Sequence, residues 1–153
     1  MIPETVAQMA GLARLKAQSL RNHPLGYFVL SMLAGAYVGF GIALVFAVGA
    51  PLAANGSPFL RLLMGASFGV ALSLVIVAGA ELFTGNNLVM AVGVARRTTS
   101  LAELAGVWSV SYLGNLIGSL ALGWLVAKSG VLGGSPQLEF VRSAVATKMS
   151  MPF

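Results

Sequence analysis

The run "VIVAGAELFTGNNLVMAVGV", residues 75–94, sets one carboxylate, Glu81, and a polar cluster, Thr84-Gly85-Asn86-Asn87, inside otherwise apolar sequence. Between Arg61 and Arg96 Glu81 is the only charge, over 34 residues. As one helix those residues would measure about 51 Å, against a bilayer core of roughly 30 Å. Two complete spans would receive about 17 residues each, and the turn between them, "ELFTGNN", lacks the charge of an exposed loop. A broken helix satisfies both limits. Leu62 to about Leu82 runs in, the backbone unwinds at 83–87, and a short piece from Leu88 completes the crossing. Unwound backbone at membrane depth is tolerated only where protein or a water-filled cavity satisfies its polar groups, so the segment predicts a cavity.

The rest of the chain supports a membrane setting. Of its 153 residues 58% are hydrophobic and 8% charged, with a mean hydropathy of +0.90; ordinary globular domains are about 25% charged. The N-terminus has no short apolar region ending in a small-residue cleavage site, so the apolar segments read as spans. The first runs over about 25–50, the second over 62–95 with its break, and the third over 101–127. Ser100 with Glu103 forms the pattern of a capping box ahead of the third. The expected fold class is an all-α membrane protein with three transmembrane spans and a broken second helix.

Residues 1–24 read as a cytoplasmic amphipathic segment, with Val6, Met9, Leu12 and Leu15 at helical spacing and Arg14, Lys16 and Arg21 among them. Basic residues in this segment and at Arg96-Arg97 put both on the cytoplasmic side. Residues 129–153 read as an extracytoplasmic linker that leads to a further element. Small residues four apart, Gly35/Gly39, Gly65/Gly69 and Gly114/Gly118, suit close helix packing first and pore lining second.

Several functions are excluded on composition. There is no cysteine, and the one histidine, His23, has no neighbouring carboxylate or thiol, so no metal centre is expected and no cofactor is implied. No serine–histidine–acid set, phosphate loop or carboxylate pair occurs, which argues against an enzyme. Nine basic residues spread along the chain form no block for nucleic acid. A carboxylate within a span marks either a transport path or a structural brace that accepts hydrogen bonds or pairs with a base, and the chemistry alone leaves the two level. At a helix break, freed N–H groups and helix dipoles favour anions.

These residues resemble a known family. "NHPLGYFVLSMLAGAYVGFGIAL", "GASFGVALSLVIVAGAELFTGNNLVM" and "WSVSYLGNLIGSL", in that order, are similar to the N-terminal half of the formate/nitrite transporter family, nearest its nitrite-channel branch. The resemblance covers residues 20–150. It implies one half of an inverted-repeat, aquaporin-like channel fold, assembled as a homopentamer with a pore in each subunit. The implied partners are the lipid bilayer of the bacterial inner membrane and small monovalent anions, nitrite and formate. It further implies apolar constrictions at Phe68, Leu72 and Phe83 and a substrate path past Thr84; on their own chemistry Leu82 adds to the constrictions, and Gly85 and Asn86 offer flexible backbone and an amide to the path. Glu81 would stabilise the loop, and Lys148 would stand near the outer mouth. Family members are about twice as long and carry a central histidine in their second half, so the chain reads as truncated. A structural membrane subunit without its own pore is the rival reading; a neutral-solute pore lacks its paired Asn-Pro-Ala turns here.

Overall fold

The computed structural model describes residues 2–151. Among these the chain is all helical: α1 Ile2–Asn22, α2 Pro24–Ala54, α3 Leu60–Val77, α4 Phe83–Ala95, α5 Leu101–Ser129 and α6 Ser135–Ser150. Helices α2, α3 and α5 are long and apolar enough to cross a membrane, with 31, 18 and 29 residues. The apolar α4 has 13, and α3 and α4 together hold as many helical residues as α2. Helix α3 packs on α2, whereas α4 packs on α1 and α5, so the two pieces continue one another instead of folding into a hairpin. This is the broken span expected from its length.

The break lies at 78–82, not at 83–87, and the physical reason is Gly79. Its φ of 62° is a left-handed conformation that costs glycine little. The Ala80 N–H reaches the Val75 carbonyl at 2.9 Å and the Gly79 N–H reaches that of Ile76 at 3.2 Å, the paired bonds of a glycine-terminated helix end. Helix α3 therefore stops at Val77, and the polar run Thr84–Asn87 forms the first turn of α4 instead of the loop. Two other boundaries also move. Helix α2 continues through Pro51 to Ala54, beyond the expected end near residue 50, and 135–150 of the expected linker is helical. Ser100 and Glu103 close the capping box, with the Ser100 N–H 2.8 Å from a Glu103 carboxylate oxygen and the Glu103 N–H 3.2 Å from the Ser100 hydroxyl.

Glycines set the closest approach, that of α2 and α5. A Cβ at Gly35 would strike the Asn115 carbonyl, and one at Gly118 would strike that of Met32. Gly65 and Gly69 of α3 have nothing within 4 Å at the corresponding position. Gly118→Ala is therefore expected to cost about 1–3 kcal/mol through forced separation of α2 and α5. Gly65→Ala should be neutral or stabilising by under roughly 1 kcal/mol. Thermal unfolding of the two variants in detergent checks the contrast, which equal effects would remove.

Helix α1 buries a different face from the one its large residues suggest. Ala10, Ala13 and Ala17 are buried while Leu12 and Leu15 are exposed. A Cβ at Gly93 of α4 would meet the Ala13 methyl, and the Thr98 hydroxyl donates to the Ala10 carbonyl at 3.0 Å. Small side chains win this face because they let α1 approach the α4 backbone. Much of the remaining surface is apolar: Leu62, Ile76 and Val77 of α3 are 68%, 76% and 88% exposed. Such a patch is stable only when lipid or protein covers it.

Candidate functional site

The five residues that join α3 to α4 are held from three sides. From α2, the Leu30 carbonyl accepts the Glu81 N–H at 3.2 Å, and the hydroxyl of the fully buried Tyr27 donates to a Glu81 carboxylate oxygen at 2.9 Å. From α1, the Lys16 ammonium forms an ion pair with the same oxygen at 2.5 Å. From α5, the Asn115 amide donates to the Glu81 carbonyl at 3.0 Å and to the Ser31 carbonyl at 2.8 Å. Its oxygen accepts the Phe83 N–H at 2.9 Å. The Glu81 N–H and carbonyl and the Phe83 N–H are thus satisfied by protein, as an interior of low polarity requires.

Glu81 points into this network and not into open space. Lys16 and Glu81 side chains are 23% and 13% exposed, and two hydrogen-bond donors converge on one carboxylate oxygen. Asn86, expected on the substrate path, also turns inward. It is 1% exposed, its amide donates to the Tyr27 hydroxyl at 3.0 Å, and the Trp108 indole donates to its carbonyl at 3.2 Å. Tyr27 therefore ties the end of the break to the first turn of α4. Asn86 is two residues past Thr84, which lines the cavity, and two steps of about 100° carry it to nearly the opposite side of the helix.

The other side of that turn lines a cavity of about 270 Å³, walled by Gly35, Val38, Leu82, Phe83, Thr84, Tyr112, Asn115, Leu116 and Ser119. Phe83 and Tyr112 meet edge to face, with centroids 5.3 Å apart. The walls are apolar except for Thr84, Tyr112, Asn115 and Ser119. Leu82 at the N-cap position supplies no side-chain bond to α4. The Thr84 and Gly85 N–H groups take no backbone or side-chain acceptor among the described residues. Two unclaimed donors at a helix N-terminus form a place of positive potential.

A second, larger cavity of about 540 Å³ shares Val38 and Ser119 with the first and extends along α2 and α5 to Leu132, Leu138 and Val141. The two thus adjoin along α2 and α5, and both are lined mainly by apolar residues. Of the residues singled out in the sequence, Leu82, Phe83 and Thr84 come together on the first cavity and Gly85 follows them in the chain. Phe68 and Leu72 lie further back on α3 and line neither cavity; Lys148 stands exposed in the last turn of α6. Lys16, Tyr27 and Asn115 were not singled out. Asn115 carried a signal, being a polar side chain within an apolar span, whereas the pairing of Lys16 with a residue 65 positions away carries none.

Comparison with known proteins adds to this geometry. The family described as "Formate/nitrite transporter" matches residues 3–153. The chain is 40% identical over 151 residues to the nitrite transporter NirC of Salmonella typhimurium, covering 99% of this chain and 54% of that protein. It is 37% identical over 149 residues to a protein named probable formate transporter from Methanothermobacter thermautotrophicus, covering 95% and 53%. It is also similar to a solved structure named FNT family ion channel, with a TM-score of 0.85 and 38% identity over 98% of this chain and 59% of that one. The chain spans about half the length of the curated relatives it matches.

Proposed function

Because the chain belongs to the formate/nitrite transporter family, we propose that the full protein conducts small monovalent anions, nitrite foremost and formate as well, through a pore in each protomer. It is a multi-pass membrane protein; the setting proposed for it is the bacterial inner membrane, with α1 on the cytoplasmic side and a homopentameric assembly. The observation that carries the reading is the pairing of an apolar cavity with the N-terminus of α4, where the Thr84 and Gly85 N–H groups have no acceptor among the described residues. A cavity of that kind repels fully hydrated ions yet offers a small anion hydrogen bonds and a favourable dipole where its water is stripped.

Within this reading Thr84 faces the ion and Leu82 and Phe83 form an apolar constriction, while Phe68 and Leu72 of α3, which line neither cavity, stand apart from it. Glu81 braces the break, supported by its ion pair with Lys16. Lys148, exposed on α6, raises the local anion concentration at the outer mouth by long-range attraction. Nitrite uptake by proteoliposomes holding the full-length protein tests the assignment. Thr84→Val is expected to lower uptake about fivefold, the value of one hydrogen bond. Lys148→Leu should lower it at low ionic strength and much less near 1 M salt, where the Debye length falls to about 3 Å. Unchanged uptake in both variants would overturn these roles.

A further inference from the structure

Asn115 reaches the start of α4 from a different helix, and its amide has no spare capacity as a donor. Both amide hydrogens are engaged, at the Ser31 and Glu81 carbonyls, while the oxygen accepts the Phe83 N–H. An amide with donors and acceptor all satisfied has one orientation, since flipping it would set oxygen against two carbonyls. Its backbone is equally fixed, because Gly35 lies against the Asn115 carbonyl so closely that a Cβ there would clash. The N-cap position of α4 is held by Leu82, which makes no side-chain bond. Asn115 is therefore a cap supplied from α5.

Resting on the anion-channel reading, we infer that Asn115 is a positioning residue that selects which N–H groups of α4 meet the anion. By taking the Phe83 N–H it removes the first donor of the helix and leaves the next two, at Thr84 and Gly85, without an acceptor among the described residues, where Thr84 lines the same cavity as Asn115. Gly85 itself is exposed, and a Cβ there would meet nothing within 4 Å. Two adjacent donors in fixed register suit a small anion whose oxygens are close together; a spherical ion cannot use both to the same advantage. Asn115 thereby sets affinity and discrimination without itself being the ion's main contact.

The test uses the full-length protein in proteoliposomes, with nitrite and chloride flux measured for wild type, Asn115→Ala and Asn115→Asp and normalised to folded protein. Asn115→Ala frees the Phe83 N–H and loosens the break; KM for nitrite should rise about tenfold with little change in maximal rate, and the nitrite-to-chloride ratio should fall toward one. Asn115→Asp keeps the acceptor but loses both donors and adds a charge beside the path, so KM should rise further. A residue that only supports the fold would lower the amount of folded protein and leave KM and the ratio unchanged, and that result overturns the inference. If neither variant folds, site-resolved amide exchange on wild type decides: Phe83 should exchange slowly, and Thr84 and Gly85 quickly until nitrite is added. Phe83 exchanging as fast as its neighbours overturns the inference. A wild type that passes no anion overturns the channel reading, and this inference with it, whereas normal wild-type flux with normal variants sinks the inference alone.

Discussion

Glu81→Gln should destabilise the folded protein by about 3 kcal/mol, the lower end of the range for removing one partner from a buried ion pair. Glutamine can still accept from the Tyr27 hydroxyl, so the loss falls on Lys16, whose ammonium keeps its place beside the break without a counter-charge. The cost stays at the lower end because a lysine stem lets the charge swing toward water. Lys16→Met should cost a similar amount, for it leaves the carboxylate uncompensated. The double variant should cost clearly less than the sum of the two, because no unpaired charge remains. Thermal unfolding of the three proteins in detergent, run as a double-mutant cycle, measures this coupling. Strict additivity would show that the pair contributes nothing. If Glu81 is a brace and not part of the ion path, the surviving folded protein should also keep its preference among anions.

The pair also shows how far the sequence could be read. The break was legible from arithmetic: 34 residues with a single charge cannot form one straight crossing. Its position lies about five residues before the polar run, because polarity by itself does not mark unwound backbone. The chain instead unwinds where glycine permits a left-handed residue, at Gly79. The polar run after it serves as a helix start, where Thr and Asn are at ease and the Thr84 and Gly85 N–H groups have no acceptor among the described residues. A glycine two residues before a carboxylate in an apolar run was a readable sign, and a helix C-terminus could have been placed there.

The site was legible only on the side facing the cavity. Leu82, Phe83 and Thr84 are consecutive, so once the break exists they must be near one another. The side facing the protein was not, because Lys16, Tyr27 and Asn115 come from three helices and meet only through packing. Periodicity misled in α1 for a related reason. It ranks faces by hydrophobicity, which orders burial against water, whereas α1 packs on α4 by closeness of backbone, and alanines serve that better than leucines.

Thr84→Asp is expected to have opposite effects on stability and on flux. Thr84 is the second residue of α4, a helix whose own N-cap residue, Leu82, gives no side-chain bond, and a carboxylate in that first turn should interact favourably with the helix dipole and the unclaimed N–H groups. The gain is roughly 0.3–1 kcal/mol, visible as an equal or raised unfolding temperature. The same carboxylate would stand on the wall of the cavity of about 270 Å³, so an entering anion meets a fixed like charge. At about 4 Å and an effective dielectric constant near 20 the repulsion is about 4 kcal/mol, which corresponds to a reduction in nitrite flux on the order of a thousandfold. Thr84→Asn, which places a neutral group there, should stay within about tenfold of wild type. A protein made inactive by damage to its fold would lose stability and flux together. Nitrite flux at the wild-type level in a stable Thr84→Asp protein would mean that the ion does not pass the N-terminus of α4.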